Sequence, residues 1–301
     1  MKRVVSISLG SSKRDHCVVA EFGGENFSIE RIGTDGNKEK FVQLIKELDG
    51  KVDAFGMGGT DLYIYAGNKR YVFKESATIA AIAKRTPIVD GSGIKNTLER
   101  RVVHYLKEKE GITFQNKNTL IVCAVDRFGL AEELVAAGSR AVFGDLLFGL
   151  GLPVPIRSLK TLALLARMIA PVITRLPIEM FYPTGERQTR NSPRFSQYFA
   201  QAEFIAGDFH FIRRYMPEDL KGKTVITNTV TQKDEELLRE SGIKTLVTTT
   251  PDMGGRSLGT NVLEAVLVTL LAKSPALITA ADYEYMLDKI DIRPQVRQFS
   301  K

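Results

Sequence analysis

The sequence predicts a two-domain α/β protein, an N-terminal α/β substrate domain followed by a C-terminal Rossmann-like domain with a parallel sheet. Three observations lead there. Short apolar runs alternate with amphipathic helical patterns along the chain. A strand, turn, helix, glycine, strand unit occurs twice, about a hundred residues apart. The chain has 301 residues, 44% hydrophobic and 26% charged, which is ordinary globular composition and enough length for two packed domains.

In chain order, residues 4–9 and 27–32 read as strands, and residues 38–48 as an amphipathic helix with Phe41, Leu44, Ile45 and Leu48 on one face. Residues 52–57 form a short strand ending in Gly58-Gly59. An edge hairpin follows, 62–66 and 69–73, around Gly67-Asn68. Residues 75–83 read as helix, and after Pro87 the loop Val89-Asp90-Gly91-Ser92-Gly93 leads into a long helix over 95–108 that connects the domains. The repeat comes next. Residues 119–125, 130–135, Gly138 and 140–143 are matched by 224–230, 235–238, Gly242 and 244–247, with connections short enough for parallel βαβ packing. A strand at 204–207 lies between the two copies. The apolar stretch 146–183 is broken by arginines and prolines and reads as a packed helix between the domains. The helices at 260–272 and 280–289 return to brace the interface. The expected division is 1–105 as a substrate-binding-like domain, 106–272 as a Rossmann-like nucleotide-binding domain, and 273–301 as a C-terminal helix and tail returning to the interface.

Composition narrows the function classes. Lys plus Arg total 42 against 35 Asp plus Glu, a net charge of +7, which favours small anionic metabolites as partners. The basic residues are dispersed and there is no Trp, so no specific nucleic acid is expected. Cys17 and Cys123 lie far apart, and His16, His104 and His210 are isolated, so neither a disulfide framework nor a metal site is expected. No run of about 20 apolar residues spans a bilayer, and the N-terminus lacks the pattern of a signal peptide. A cytoplasmic protein with no membrane association is expected, and a homodimer is compatible with the sequence.

The candidate sites follow from strand ends. In an open parallel sheet, ligands bind beyond the strand C-termini, which selects the turns after Val125, Thr229 and Thr250. These turns offer Asp126, Arg127, Phe128, Asn228, Thr229 and Thr250. The loop Thr248 to Asn261 leaves a strand and enters a helix, where free amides, Gly254, Gly255 and the guanidinium of Arg256 suit an anion. His210, just past the strand at 204–207, is a further candidate. In the first domain, Lys74 and Asp90 each sit at the start of a helix. A lysine and a carboxylate over one cleft make a proton-transfer pair, whereas on local chemistry alone Lys74 is a solvated residue and Asp90 an N-cap.

Two short runs carry a family resemblance. Phe73-Lys74-Glu75-Ser76-Ala77 is similar to the Pro-His-Lys-Glu-Ala stretch of quinate and shikimate dehydrogenases. Val89-Asp90-Gly91-Ser92-Gly93-Ile94 resembles their Asn-Thr-Asp-Gly-x-Gly-Phe stretch and, like it, precedes the helix into the second domain. The resemblance implies hydride transfer between a ring hydroxyl of a small hydroxy acid and NAD or NADP, as in a quinate 5-dehydrogenase. It makes Lys74 the acid–base residue and Asp90 its partner. Gly10-Ser11-Ser12 loosely matches the family's substrate-binding serine motif. Ser11, Ser12, Thr60, Arg256 and Asn261 are the expected substrate contacts, and Asp126, Arg127, Phe128, Asn228, Thr229, Thr250, Gly254 and Gly255 the expected cofactor contacts. The glycine-rich cofactor loop has no counterpart, because Ala124-Val125-Asp126-Arg127-Phe128-Gly129 stands where G-x-G-x-x-G would. That absence favours a second reading, a non-catalytic binding or regulatory protein holding an anionic metabolite or nucleotide in the interdomain cleft.

Overall fold

The computed structural model describes residues 1–66, 69–177, 191–251 and 257–299. Two mostly parallel sheets form its framework, so the chain is a two-domain α/β protein. The first half contributes β1 (Lys2–Ser8), β2 (His16–Phe22), β3 (Glu25–Gly33), α1 (Lys38–Leu48), β4 (Ala54–Gly58), β5 (Tyr63–Ala66), β6 (Lys69–Val72), α2 (Lys74–Ala80), β7 (Ile88–Val89) and α3 (Ser92–Glu108). The second half adds β8 (Asn118–Ile121), α4 (Phe128–Ala136), β9 (Arg140–Phe143), α5 (Leu159–Ile173), α6 (Ser196–Gln201), β10 (Phe204–Ala206), α7 (Phe209–Tyr215), β11 (Thr224–Thr227), α8 (Gln232–Glu240), β12 (Thr245–Thr248), α9 (Thr260–Leu271), α10 (Ala280–Lys289) and β13 (Gln295–Gln298).

The first sheet runs β2-β3-β1-β4-β7, parallel except for β2. Its inner strands are covered on both faces, which is why β1 is buried without a break from Val4 to Ser8, Ser6 and Ser8 included. Val5, Ile7, Phe55 and Met57 meet Phe41 and Ile45 of α1 on one face. On the other, Val4, Ile29 and Ala54 meet Val262, Val266 and Leu287 of α9 and α10. The two C-terminal helices therefore roof the N-terminal sheet. The hairpin β5–β6 pairs Tyr63 with Val72 through Ala66 with Lys69.

The second sheet runs β13-β12-β11-β10-β8-β9 and is parallel except for β13. Both copies of the repeat fold as β-α-β, β8-α4-β9 and β11-α8-β12. The glycine closing each helix, Gly138 at φ 87° and Gly242 at φ 80°, takes the left-handed conformation that a side chain disfavours. After β9 the chain crosses to the other side of β8, so the crevice between β8 and β10 is the topological switch point of this sheet. Helix α3 serves both halves. Ile94 and Leu98 lie in the first core, while Val102, Val103 and Leu106 lie in the second. Ala170 of α5 packs against Ile64 and Phe73 of the first half, whereas Leu164, Met168 and Val172 are exposed. Among the described residues, no helix is long and apolar enough to cross a membrane.

Candidate functional site

The cleft between the domains is walled by Tyr63, Ser92, Lys95, Asn96, Asp126 and Phe128, among others. It opens over about 280 Å³ including solvent, but encloses only about 20 Å³, room for roughly one water. A ring-sized ligand must lie in its mouth or part its walls. At its floor, the Lys95 ammonium of α3 stands 2.8 Å from the Asp126 carboxylate of the second domain and 3.4 Å from Asp61 of the first. Burial acts to lower the Lys95 pKa, but the two carboxylates outweigh it and raise it, so the group is a fixed cation.

Beside it lies the Asp-Gly-Ser-Gly loop. One Asp90 oxygen accepts from the Leu62 amide at 2.6 Å and from the Ser92 hydroxyl, and the other from the Ser92 amide at 3.2 Å. Burial, then the neighbouring Asp61, pushes Asp90 up to about 6. Behind this loop, Glu264 of α9 accepts from the Gly91 amide and from the Tyr283 hydroxyl, each at 2.6 Å. Burial and Asp90 push Glu264 up to about 8. Both loop glycines are required by this packing. Gly91 has φ 98°, and a Cβ there would lie 2.9 Å from the Asn261 amide; a Cβ on Gly93 would lie 2.2 Å from Glu264 Oε1.

At the switch point, the turn after β8 is bound by a residue of its own chain. The Ala124 and Val125 amides donate to the two oxygens of Asp145, at 3.1 and 2.9 Å. Burial pushes Asp145 up to about 6, with both amides opposing the shift. Next to this turn, the buried Arg127 guanidinium meets Glu99 at 3.0 Å, Asp208 at 3.1 Å and Asp126 at 3.3 Å.

The structure separates the sequence-derived residues. Asp90, Asp126 and Phe128 lie at or directly behind the cleft. Lys74 does not join them; its side chain is exposed at the start of α2, its amide bonds to Thr174, and the cation near Asp90 is Lys95. Arg127 is committed to its three carboxylates. Thr60 is buried with its hydroxyl 2.7 Å from that of Ser76. The Asn261 amide donates to Ser6 Oγ at 2.8 Å, fastening α9 to β1. Ser11 caps the turn Ser12–Arg14, and the Ser12 amide bonds to Asp35. Asn228 donates to Asp208 and accepts from the Phe209 amide. Thr229 is half-buried, and Thr250 is buried with its hydroxyl 3.4 Å from the Asn228 carbonyl. His210 stands 3.4 Å from Arg14, linking the domains, and burial lowers its pKa. Gly254, Gly255 and Arg256, like most of the basic stretch 185–193, lie outside the described residues. Among the described residues, no group of His, Cys, Asp and Glu is arranged to hold a metal.

Fold and cleft together define an α/β protein whose second domain has the strand order of a doubly wound, Rossmann-like sheet. Residues 93–299 match the model of a domain of unknown function (DUF8754), and residues 3–90 match that of a second (DUF8753). The chain belongs to the DUF8754 family. No curated protein matches it. Similar solved structures include an NAD-dependent malic enzyme from Thermotoga maritima, at 12% identity over 96% of this chain and 83% of that one, with a TM-score of 0.33. A galactofuranose binding protein is 12% identical over 97% and 99%, with a TM-score of 0.35. The bifunctional methylenetetrahydrofolate dehydrogenase/cyclohydrolase of Campylobacter jejuni is 10% identical over 96% and 87%, with a TM-score of 0.30. At these values the likenesses do not decide what this chain binds.

Proposed function

We propose that the chain is an oxidoreductase-type enzyme that takes a small anionic hydroxy acid at the interdomain cleft and handles the proton of its ring hydroxyl, as quinate and shikimate dehydrogenases do. The observation carrying this reading is the juxtaposition of Asp90, titrating near 6, with the fixed Lys95 cation where the two domains meet. A carboxylate close to its pKa at neutral pH is suited to exchange a proton with a bound hydroxyl, and a neighbouring ammonium suits the developing alkoxide. In this reading Asp90, the partner in the resemblance, becomes the acid–base residue in place of Lys74, Ser92 shares its proton, and Lys95 supplies the neighbouring positive charge.

The hydride carrier implied by the resemblance is NAD or NADP. As folded, the turn after β8 does not fit its pyrophosphate, because Asp145 holds the amides that would cradle it and Asp126 adds like charge. The same observation favours a second reading, a protein that binds an anionic metabolite without chemistry. A thermal-melt series with quinate and shikimate tests the first step common to both. Ligand at about 100 times its dissociation constant adds nearly 3 kcal/mol, and Asp90→Asn should lose most of that shift. No shift with either acid, or an undiminished shift in the variant, refutes the assignment of the cleft. Turnover with NAD(P) in the wild type separates the enzyme from the binding protein.

A further inference from the structure

We propose that the turn after β8 is an anion cradle closed by the chain's own carboxylate, Asp145, and that a phosphate-bearing ligand binds there only when this carboxylate leaves. The inference bears on the hydride carrier of the reading above and not on how the cleft binds a hydroxy acid.

Consecutive amides directed at one point form a concave donor site for anions, and the switch point of an open sheet is where such a site meets ligand. Here Ala124 and Val125 supply the amides, at the N-terminal approach to α4, and the anion is Asp145, gripped through both oxygens. The grip is built into the fold. Asp145 follows β9 after one residue, Gly144, whose amide bonds to the Ile121 carbonyl at 2.8 Å. A Cβ on Gly144 would lie 2.4 Å from Phe148 and 2.8 Å from the Val122 carbonyl, so only glycine lets the end of β9 lie this close to the turn. In dinucleotide-binding units, an acidic residue about 20 positions past the turn meets a ribose hydroxyl. Asp145 stands at that spacing but is turned inward onto the amides. The cradle and its competitor are thus one covalent unit, and the local concentration of the internal carboxylate exceeds what a dilute ligand reaches.

The test titrates ADP and inorganic pyrophosphate into the wild type, Asp145→Ala and Asp145→Asn by calorimetry, with the amide resonances of Ala124 and Val125 followed by NMR. The expected result is at least a tenfold gain in ADP affinity in either folded variant, about 1.4 kcal/mol, accompanied by shifts at Ala124 and Val125. In the wild type, about 1 mM ADP should leave both resonances unmoved. Shifts at these amides in the wild type at neutral pH overturn the proposal, as do folded variants that bind ADP and pyrophosphate no better than wild type or that bind them elsewhere. Should both variants fail to fold, the wild type at about pH 5, where Asp145 is protonated, takes their place: shifts at Ala124 and Val125 with ADP support the proposal, and unmoved resonances overturn it. Quinate and shikimate melts are independent of all these outcomes.

Discussion

Glu264→Gln is expected to flatten the pH dependence of stability between pH 6 and 8. In the folded chain Glu264 is pushed from 4.5 to about 8, first by burial and then by Asp90. A raised carboxyl pKa means that the folded state holds its proton more tightly than the unfolded state. The contribution to stability is therefore full below about pH 4.5 and is lost as pH rises through about 8. Between those limits the loss runs at about 1.4 kcal/mol per pH unit, so the interval from pH 6 to 8 removes roughly 2 to 3 kcal/mol. Asp90, pushed from 3.8 to about 6, has already lost most of its own contribution by pH 6 and adds little to the fall above it. Tyr63 and Tyr283, the other titrating groups facing Glu264, are pushed upward by burial and stay neutral throughout. Glutamine keeps an acceptor for the Gly91 amide and cannot ionise. Urea unfolding at four pH values, followed by far-UV circular dichroism, measures both slopes. Wild-type stability that stays level from pH 6 to 8, or a glutamine variant that falls as steeply, would refute the placement of a protonated Glu264 behind the loop.

Two further perturbations bear on the same region. Gly93→Ala places a Cβ 2.2 Å from Glu264 Oε1, so it should destabilise the fold by about 1 to 3 kcal/mol, visible as a lowered urea midpoint. The same midpoint in Gly93→Ala and wild type would mean that α9 does not press on the loop. Lys95→Met removes the cation between Asp61 and Asp126; breaking a buried pair in this way typically costs about 3 to 5 kcal/mol, and retained wild-type stability would show that the two carboxylates are solvated.

The repeat was readable because its parts are local. Each copy carries its apolar strand, its helix face and its terminal glycine within a short stretch, and β8-α4-β9 and β11-α8-β12 fold accordingly. Helix α1 matches its expected bounds of 38–48 for the same reason. Strands β2 and β13 were not readable. The first is an edge strand with alternate exposure, and the second, Gln-Val-Arg-Gln, carries one apolar residue and owes its state to pairing with β12. In the site, the Asp-Gly-Ser-Gly loop stood out, but the reason for its glycines lies in Asn261 and Glu264, far along the chain. Lys95 gave no local signal, since a lysine in the first turns of a helix looks solvated until the fold brings Asp126 to it. Asp145 was silent in the same way. Its role depends on the register of β9 beside β8, which no local pattern states.

That α9 and α10 cover the first sheet has a consequence for how the protein is born. When the first ninety or so residues have left the ribosome, β1, β3 and β4 expose Val4, Ile29 and Ala54 on a face whose covering helices have not been made. At roughly 5 to 20 residues per second, the delay before α10 emerges is on the order of ten seconds or more. The nascent chain must spend that interval with an apolar sheet face open to other chains and to chaperones. A fragment ending before α3 would keep that liability permanently, and should be recovered from cells as aggregate in a much larger share than the full chain.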